Sequence, residues 1–166
     1  MKKLLCLLPL FIFILAFTSC AVVKSTSYNT NIKKIKSLRG IDVVYRSYND
    51  LKIIEENKAQ QSFLSQDELN KNISYLPKNG DLIIHFYHSY IERCNPENYE
   101  YIFTTMCDSV ILKNKGEFDL PSVSELTVDF YNTDIQNLPE ICPDTIKFFV
   151  VWLSSDRAEY IINIQK

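Results

Sequence analysis

Glycine is scarce in this chain, 3 residues in 166, and histidine occurs twice. So little glycine excludes the phosphate-cradling loops of nucleotide-binding proteins, and neither a P-loop nor a dinucleotide fingerprint occurs. No Gly-x-Ser-x-Gly elbow is present, so the usual serine-hydrolase turn is absent too. There is no excess of basic charge: 18 Lys and Arg stand against 20 Asp and Glu, a net charge of −2. Without a basic stripe, nucleic acid is not an expected partner. No Cys-x-x-Cys pair and no zinc-ligand spacing occurs, so neither a redox dithiol nor a metal site is expected. No cofactor is implied. No segment of 20–50 residues repeats, which excludes a solenoid.

What is abundant is aromatic and β-branched. Ten Tyr and ten Phe accompany a hydrophobic fraction of 46%. That composition suits packed strands. A chain of this length builds one domain with a real core.

The first twenty residues have their own grammar. Met1-Lys2-Lys3 is a short positive segment. Leu4 to Phe17 is a 14-residue apolar run broken by Pro9, then come Thr18, Ser19 and Cys20. This is the layout of a secretory signal. The run is shorter than the roughly 20 residues a transmembrane helix needs.

Leu15-Ala16-Phe17-Thr18-Ser19-Cys20 resembles the lipobox of bacterial lipoproteins, with Phe17 where that family usually has Leu. The resemblance implies a lipid on the Cys20 thiol and cleavage just before it. Residues 1–19 are then a signal peptide. Loss of Lys2 and Lys3 leaves 16 basic against 20 acidic residues, a balance of −4. Ala21 and Val22 carry neither the family's inner-membrane retention aspartate nor an acidic export cluster. The expected location is the periplasmic face of an outer membrane, with the membrane itself as partner through Cys20.

Residues 20–39 read as a polar tether, rich in Ser, Thr, Asn and Lys. Ile32, Ile35 and Leu38 recur at helical spacing near its end, consistent with a short helix there. Residues 40–166 form the expected globular domain. Ile41–Tyr45 reads as a strand, Leu51–Ile54 as a weaker one, and Glu55–Ser62 as a loop. Ser65 with Glu68 three residues on forms a capping box that starts a helix. Pro77 ends it, and Asn79-Gly80 turns the chain.

Strands then dominate. Asp81–Ile91 and Ile146–Leu153 look apolar on both faces. Tyr99–Leu112 follows a turn at residues 94–98, and a further turn is read at Asn114-Lys115-Gly116. Leu126, Val128 and Phe130 alternate with polar residues, as in a half-buried strand. Ile135–Cys142 reads as a loop or one helical turn, bracketed by Pro139 and Pro143, and Tyr160, Ile162 and Ile164 alternate near the end. The expected fold is mainly β, an antiparallel β-sandwich with one short helix. The alternative is an α+β arrangement, an antiparallel sheet backed by that helix.

Candidate chemistry is thin. Cys94, Cys107 and Cys142 remain in the mature chain. Cys94 and Cys142 flank loops beside prolines and are the pair expected to form a disulfide. His85 and His88 lie three apart on a strand, so they point to opposite faces and do not share a metal. Ser89 beside His88, and Asp108 with Asp129, make no catalytic set. Tyr87, Tyr90 and Tyr131 are the candidate interaction surface, because tyrosine adds contact area at low entropy cost. Trp152 reads as a core residue. The expected function is that of a non-enzymatic, membrane-anchored module that binds another envelope protein or helps assemble a complex. A periplasmic immunity-type lipoprotein that neutralises a toxin, and an enzyme with an unrecognised site, are the alternatives.

Overall fold

The computed structural model describes residues 31–124, 129–153 and 155–165. Cys20 and the whole signal segment lie outside the described residues, as do Leu126 and Val128. Two antiparallel sheets face each other, as a mainly β sandwich requires.

The five-stranded sheet has the order β1-β9-β8-β4-β5, and the four-stranded sheet β2-β3-β7-β6. In the first, β1 is Ile32–Lys36, β4 Tyr99–Thr104, β5 Val110–Lys115, β8 Thr145–Trp152 and β9 Asp156–Asn163. In the second, β2 is Ile41–Arg46, β3 Asp81–His88, β6 Ser122–Val123 and β7 Phe130–Asn137.

Period-two alternation puts one set of side chains between the sheets. Val43, Leu82, Ile84 and Phe86 meet Tyr101, Phe103, Phe148, Val150 and Tyr160, all buried. The rings of Phe103 and Phe148 lie 4.8 Å apart, a tilted pair.

Between β2 and β3 runs a helical hairpin. Helix α1 is Tyr48–Ser62 and α2 is Gln66–Ser74. Both begin with a capping box, Ser47 with Asp50 and Ser65 with Glu68. Each serine hydroxyl satisfies a backbone N–H that the first turn leaves without a helical partner.

Several expectations need correction. Among the described residues there are two α-helices, not one. Leu51–Ile54 and Glu55–Ser62 belong to α1, whose buried side carries Leu51 and Ala59. Ile32–Lys36, read as the end of a tether with helical spacing, is an edge strand paired with β9. Its register slips between Lys34 and Lys36. An irregularity of this kind breaks the two-residue period of the strand. Strand β3 is not covered on both faces along its length: on the outer face His85 and Tyr87 are exposed, Ile83 is half-buried and Asp81 alone is buried. Tyr99–Leu112 is a hairpin, β4 and β5, turning at Thr105–Ser109. Asn114 and Lys115 end β5 instead of forming a turn. Ile135–Asn137 continues β7 and is not loop.

The two ends of the sandwich are distinct. The lower end holds Asp81, Asn137 and Thr145, and the chain arrives there, with the Asn163 N–H donating to the Asn31 carbonyl at 2.8 Å. The upper end holds His88, Phe130, Tyr99 and Trp152.

Candidate functional site

The aromatic residues singled out in the sequence gather at the upper end. Tyr87 on β3 and Tyr131 on β7 are cross-strand partners on the solvent side of the four-stranded sheet, both about half exposed. The Tyr87 hydroxyl donates to Asp129 Oδ2 at 2.7 Å. Gly40 seats this corner. Its φ is +78°, and a Cβ there would stand 2.2 Å from the Tyr87 carbonyl oxygen. Only glycine lets the two backbones close the bond from the Tyr87 N–H to the Gly40 carbonyl, 2.8 Å long.

Tyr90 follows the end of β3 and is 65% exposed. Its ring stacks on His88 with centroids 5.2 Å apart, and its backbone N–H donates to His88 Nδ1 at 3.1 Å. That bond needs an unprotonated Nδ1. Burial holds the His88 imidazole below its ordinary range, and the Arg93 and Arg39 charges add to this while Asp129 opposes them. His85 points to the opposite face of β3, 3.3 Å from Thr133 Oγ1.

Beyond Tyr90 the chain makes two short 3-10 turns, Ile91–Cys94 and Pro96–Asn98. They carry Arg93 across the Trp152 ring, guanidinium 3.9 Å from the centroid. This is close cation–π contact. Arg93 Nη2 also reaches Asp156 Oδ2 at 3.9 Å. Tyr90, Arg93, Trp152 and Leu153 line an open concavity of about 450 Å³, together with Glu92 and Asn98. Leu153 is 62% exposed at a φ of +44°, a left-handed conformation that side chains of its size seldom adopt. Trp152 is thus only partly core: one edge packs on the sandwich interior, and its indole N–H is buried without a hydrogen bond.

The other sequence candidates scatter. No disulfide joins any two of Cys94, Cys107 and Cys142, and the expected Cys94–Cys142 bridge does not form. Cys94 sits at the upper end, its thiol donating to the Phe130 carbonyl at 3.1 Å. Cys142 sits at the lower end, beside Pro139 and Asn79. Phe130 and Asn137 are seven strand steps apart, roughly 23 Å at the usual rise. A disulfide needs Cα atoms within about 7 Å. Asp108 lies in the lower β4–β5 turn, paired with Lys147 at 2.7 Å, far from Asp129 at the upper end. Ser89 and His88 border a small hollow with Arg39 and Asp129 and form no nucleophile–base bond.

Sequence reasoning missed Arg93, Leu153 and the role of His88. Arg93 is brought to Trp152 by turns whose geometry no periodicity encodes. Among the described residues, no group of three His, Cys, Asp or Glu side chains is placed to hold a metal ion. No helix among them is long and apolar enough to cross a membrane. The chain matches no family model, no curated protein and no solved structure.

Proposed function

We propose that this chain is the precursor of a bacterial lipoprotein, anchored through Cys20, whose β-sandwich docks another envelope protein through its upper end. The signal layout and the lipobox resemblance support the anchor. One relation carries the docking reading: the chain arrives at the lower end through Asn31, and the exposed aromatic cluster occupies the upper end. Eleven chain steps lead from Cys20 to Asn31, a reach of at most about 40 Å when fully extended. The chain thus enters the sandwich at the end opposite Tyr90, Arg93, Trp152 and Leu153, and an anchor at Cys20 leaves that end free to meet a partner.

The composition of that end supports a protein partner. Trp, Tyr and Arg are the residues that most often dominate binding energy at interfaces. The module acts by recognition, and no reaction is assigned to it.

Two measurements test the reading separately. Palmitate labelling followed by membrane fractionation is expected to label the wild type and leave Cys20→Ala unlabelled and soluble. An unlabelled wild type ends the anchor proposal. A photo-crosslinker at position 90 is expected to trap one discrete protein adduct in intact cells, and the same group at exposed Tyr75 on the helical hairpin is not. Equal, diffuse adducts from both positions would sink the docking proposal.

A further inference from the structure

The lateral opening between β5 and β7 departs from the rule that built the rest of the core. Inward positions of a sandwich strand are normally apolar. On β7 the inward positions after Phe130 are Asn132, Asp134 and Gln136, the cross-strand partners of buried Phe86, Ile84 and Leu82. Such breaks in local consistency concentrate at functional sites.

The polar groups there form a connected set. Asn114 Nδ2, from β5, donates to Gln136 Oε1 at 3.1 Å, joining the two sheets. Gln136 Nε2 donates to Asp134 Oδ2 at 3.1 Å, and the Ile135 N–H donates to Asp134 Oδ1 at 2.8 Å. Behind them stands Tyr101, with no exposed surface, its hydroxyl forming no hydrogen bond of acceptable geometry. Burial, and then the Asp134 carboxylate, push that hydroxyl far above its ordinary range, so it stays a donor. In front is a cleft of about 600 Å³ lined by Lys113, Asn114, Lys115, Glu117, Asp134, Ile135 and Gln136. Lys113 pairs with Glu100 at 2.9 Å, whereas among the described residues no ion pair engages Lys115 or Glu117.

We infer that this cleft binds a neutral polyhydroxylated ligand, a sugar or short oligosaccharide. The volume lies within the range of small-molecule sites. Ile135 is the sole apolar residue of the lining, which disfavours an apolar ligand. An anion would meet Asp134 and Glu117, and a cation would meet Lys113 and Lys115. A hydroxyl is both donor and acceptor, so it satisfies carboxylate, amide and ammonium groups set side by side. Asp134 accepts from one hydroxyl and Asn114 and Gln136 bracket another, with the Tyr101 hydroxyl buried behind the Asp134 carboxylate and without a hydrogen bond of its own. The inference concerns a different face from the aromatic end and stands whether or not that end docks a protein.

Titration of the full-length protein in detergent tests it, following the side-chain NH₂ resonances of Asn114 and Gln136. The probes are maltotriose and the N-acetylglucosamine trimer, with citrate and spermidine as charged comparators. Saturable shifts with at least one saccharide, and none with the comparators at equal concentration, are expected. Asp134→Asn and Asn114→Ala should each weaken that binding at least tenfold while the thermal midpoint moves by a few degrees. Tyr101→Phe should weaken it less, with the Asp134 carboxyl resonance shifted. No saturable shift with either saccharide, a stronger response to citrate or spermidine, or undiminished binding by both Asp134→Asn and Asn114→Ala would overturn the assignment.

Discussion

Arg46 and Asp81 are cross-strand neighbours on β2 and β3, joined by two hydrogen bonds, Nε to Oδ1 at 2.7 Å and Nη2 to Oδ2. Asp81 is almost fully buried. A bidentate guanidinium–carboxylate pair has the fork geometry that makes charge-assisted bonds strong.

Removing one member therefore costs more than the pair contributes. Arg46→Ala leaves a buried carboxylate unpaired, an expected loss of about 3 kcal/mol. That corresponds to a fall in melting temperature on the order of 10 °C. The double replacement Arg46→Met with Asp81→Leu should recover most of it. Thermal unfolding of the three proteins checks this, and a double mutant no better than the single argues against a buried-charge origin.

The His88–Tyr90 contact predicts a pH dependence. Folding lowers the His88 pKa, so the unfolded chain binds the proton more readily. The stability this group contributes is complete above its unfolded value near 6.5. It is lost as pH falls from there through the folded value. Across a titration from pH 8 to pH 5, the Tyr90 amide resonance should move together with the His88 ring protons, with a midpoint below 6.5. A midpoint above 6.5 would contradict the arrangement. His88→Gln should abolish the Tyr90 shift.

The three thiols predict a reactivity order. Cys107 is exposed, Cys142 is partly covered, and Cys94 is buried with its thiol pushed up by burial. Maleimide should modify Cys107 first, Cys142 more slowly, and Cys94 only on unfolding. Non-reducing peptide mapping after air oxidation should recover no Cys94–Cys142 peptide.

Leu153 predicts a conflict between stability and recognition. Its left-handed backbone costs leucine roughly 1 kcal/mol more than it costs asparagine. Leu153→Asn should therefore raise the melting temperature by a few degrees. The same change removes apolar surface from the concavity beside Trp152, and it should weaken crosslinking from position 90. A variant that gains stability with no loss of crosslinking would remove Leu153 from the docking surface.

Strand content was legible where one face alternates cleanly. Tyr160, Ile162 and Ile164 point inward as their spacing requires, and the Ser65–Glu68 capping box located α2 correctly. Helix α1 was not legible from its apolar residues. Ile53 and Ile54 look like strand, and Leu51 and Ala59 are the only buried positions on its face. The usable signal was Ser47 with Asp50, the same box in another guise. Strand β1 was hidden by its irregular register. The Cys94–Cys142 expectation failed because loop context does not say at which end of a sandwich a loop lies.

The sites were less legible than the fold. Tyr87 and Tyr131 were readable as aromatic strand residues and are cross-strand partners, whereas Tyr90 lies beyond the end of β3, stacked on His88. Arg93 reaches Trp152 through two 3-10 turns. The polar cleft depends on register: Asn132, Asp134 and Gln136 could be recognised as inward-facing only once β7 was paired with β3. A one-residue slip would have turned Ile135 inward in their place.

Strand β1 runs antiparallel to β9 and begins at the lower end, where Ile32 pairs with Ile162. For a chain tethered at its amino terminus and gripped at its far end, tension would act along the length of β1 and not across it. The rungs between β1 and β9 would then share the load in shear instead of opening one after another like a zip. Were the chain anchored at Cys20 and held at its upper end, the first strand of the sandwich, stitched lengthwise to the last, would take the load where it enters the fold.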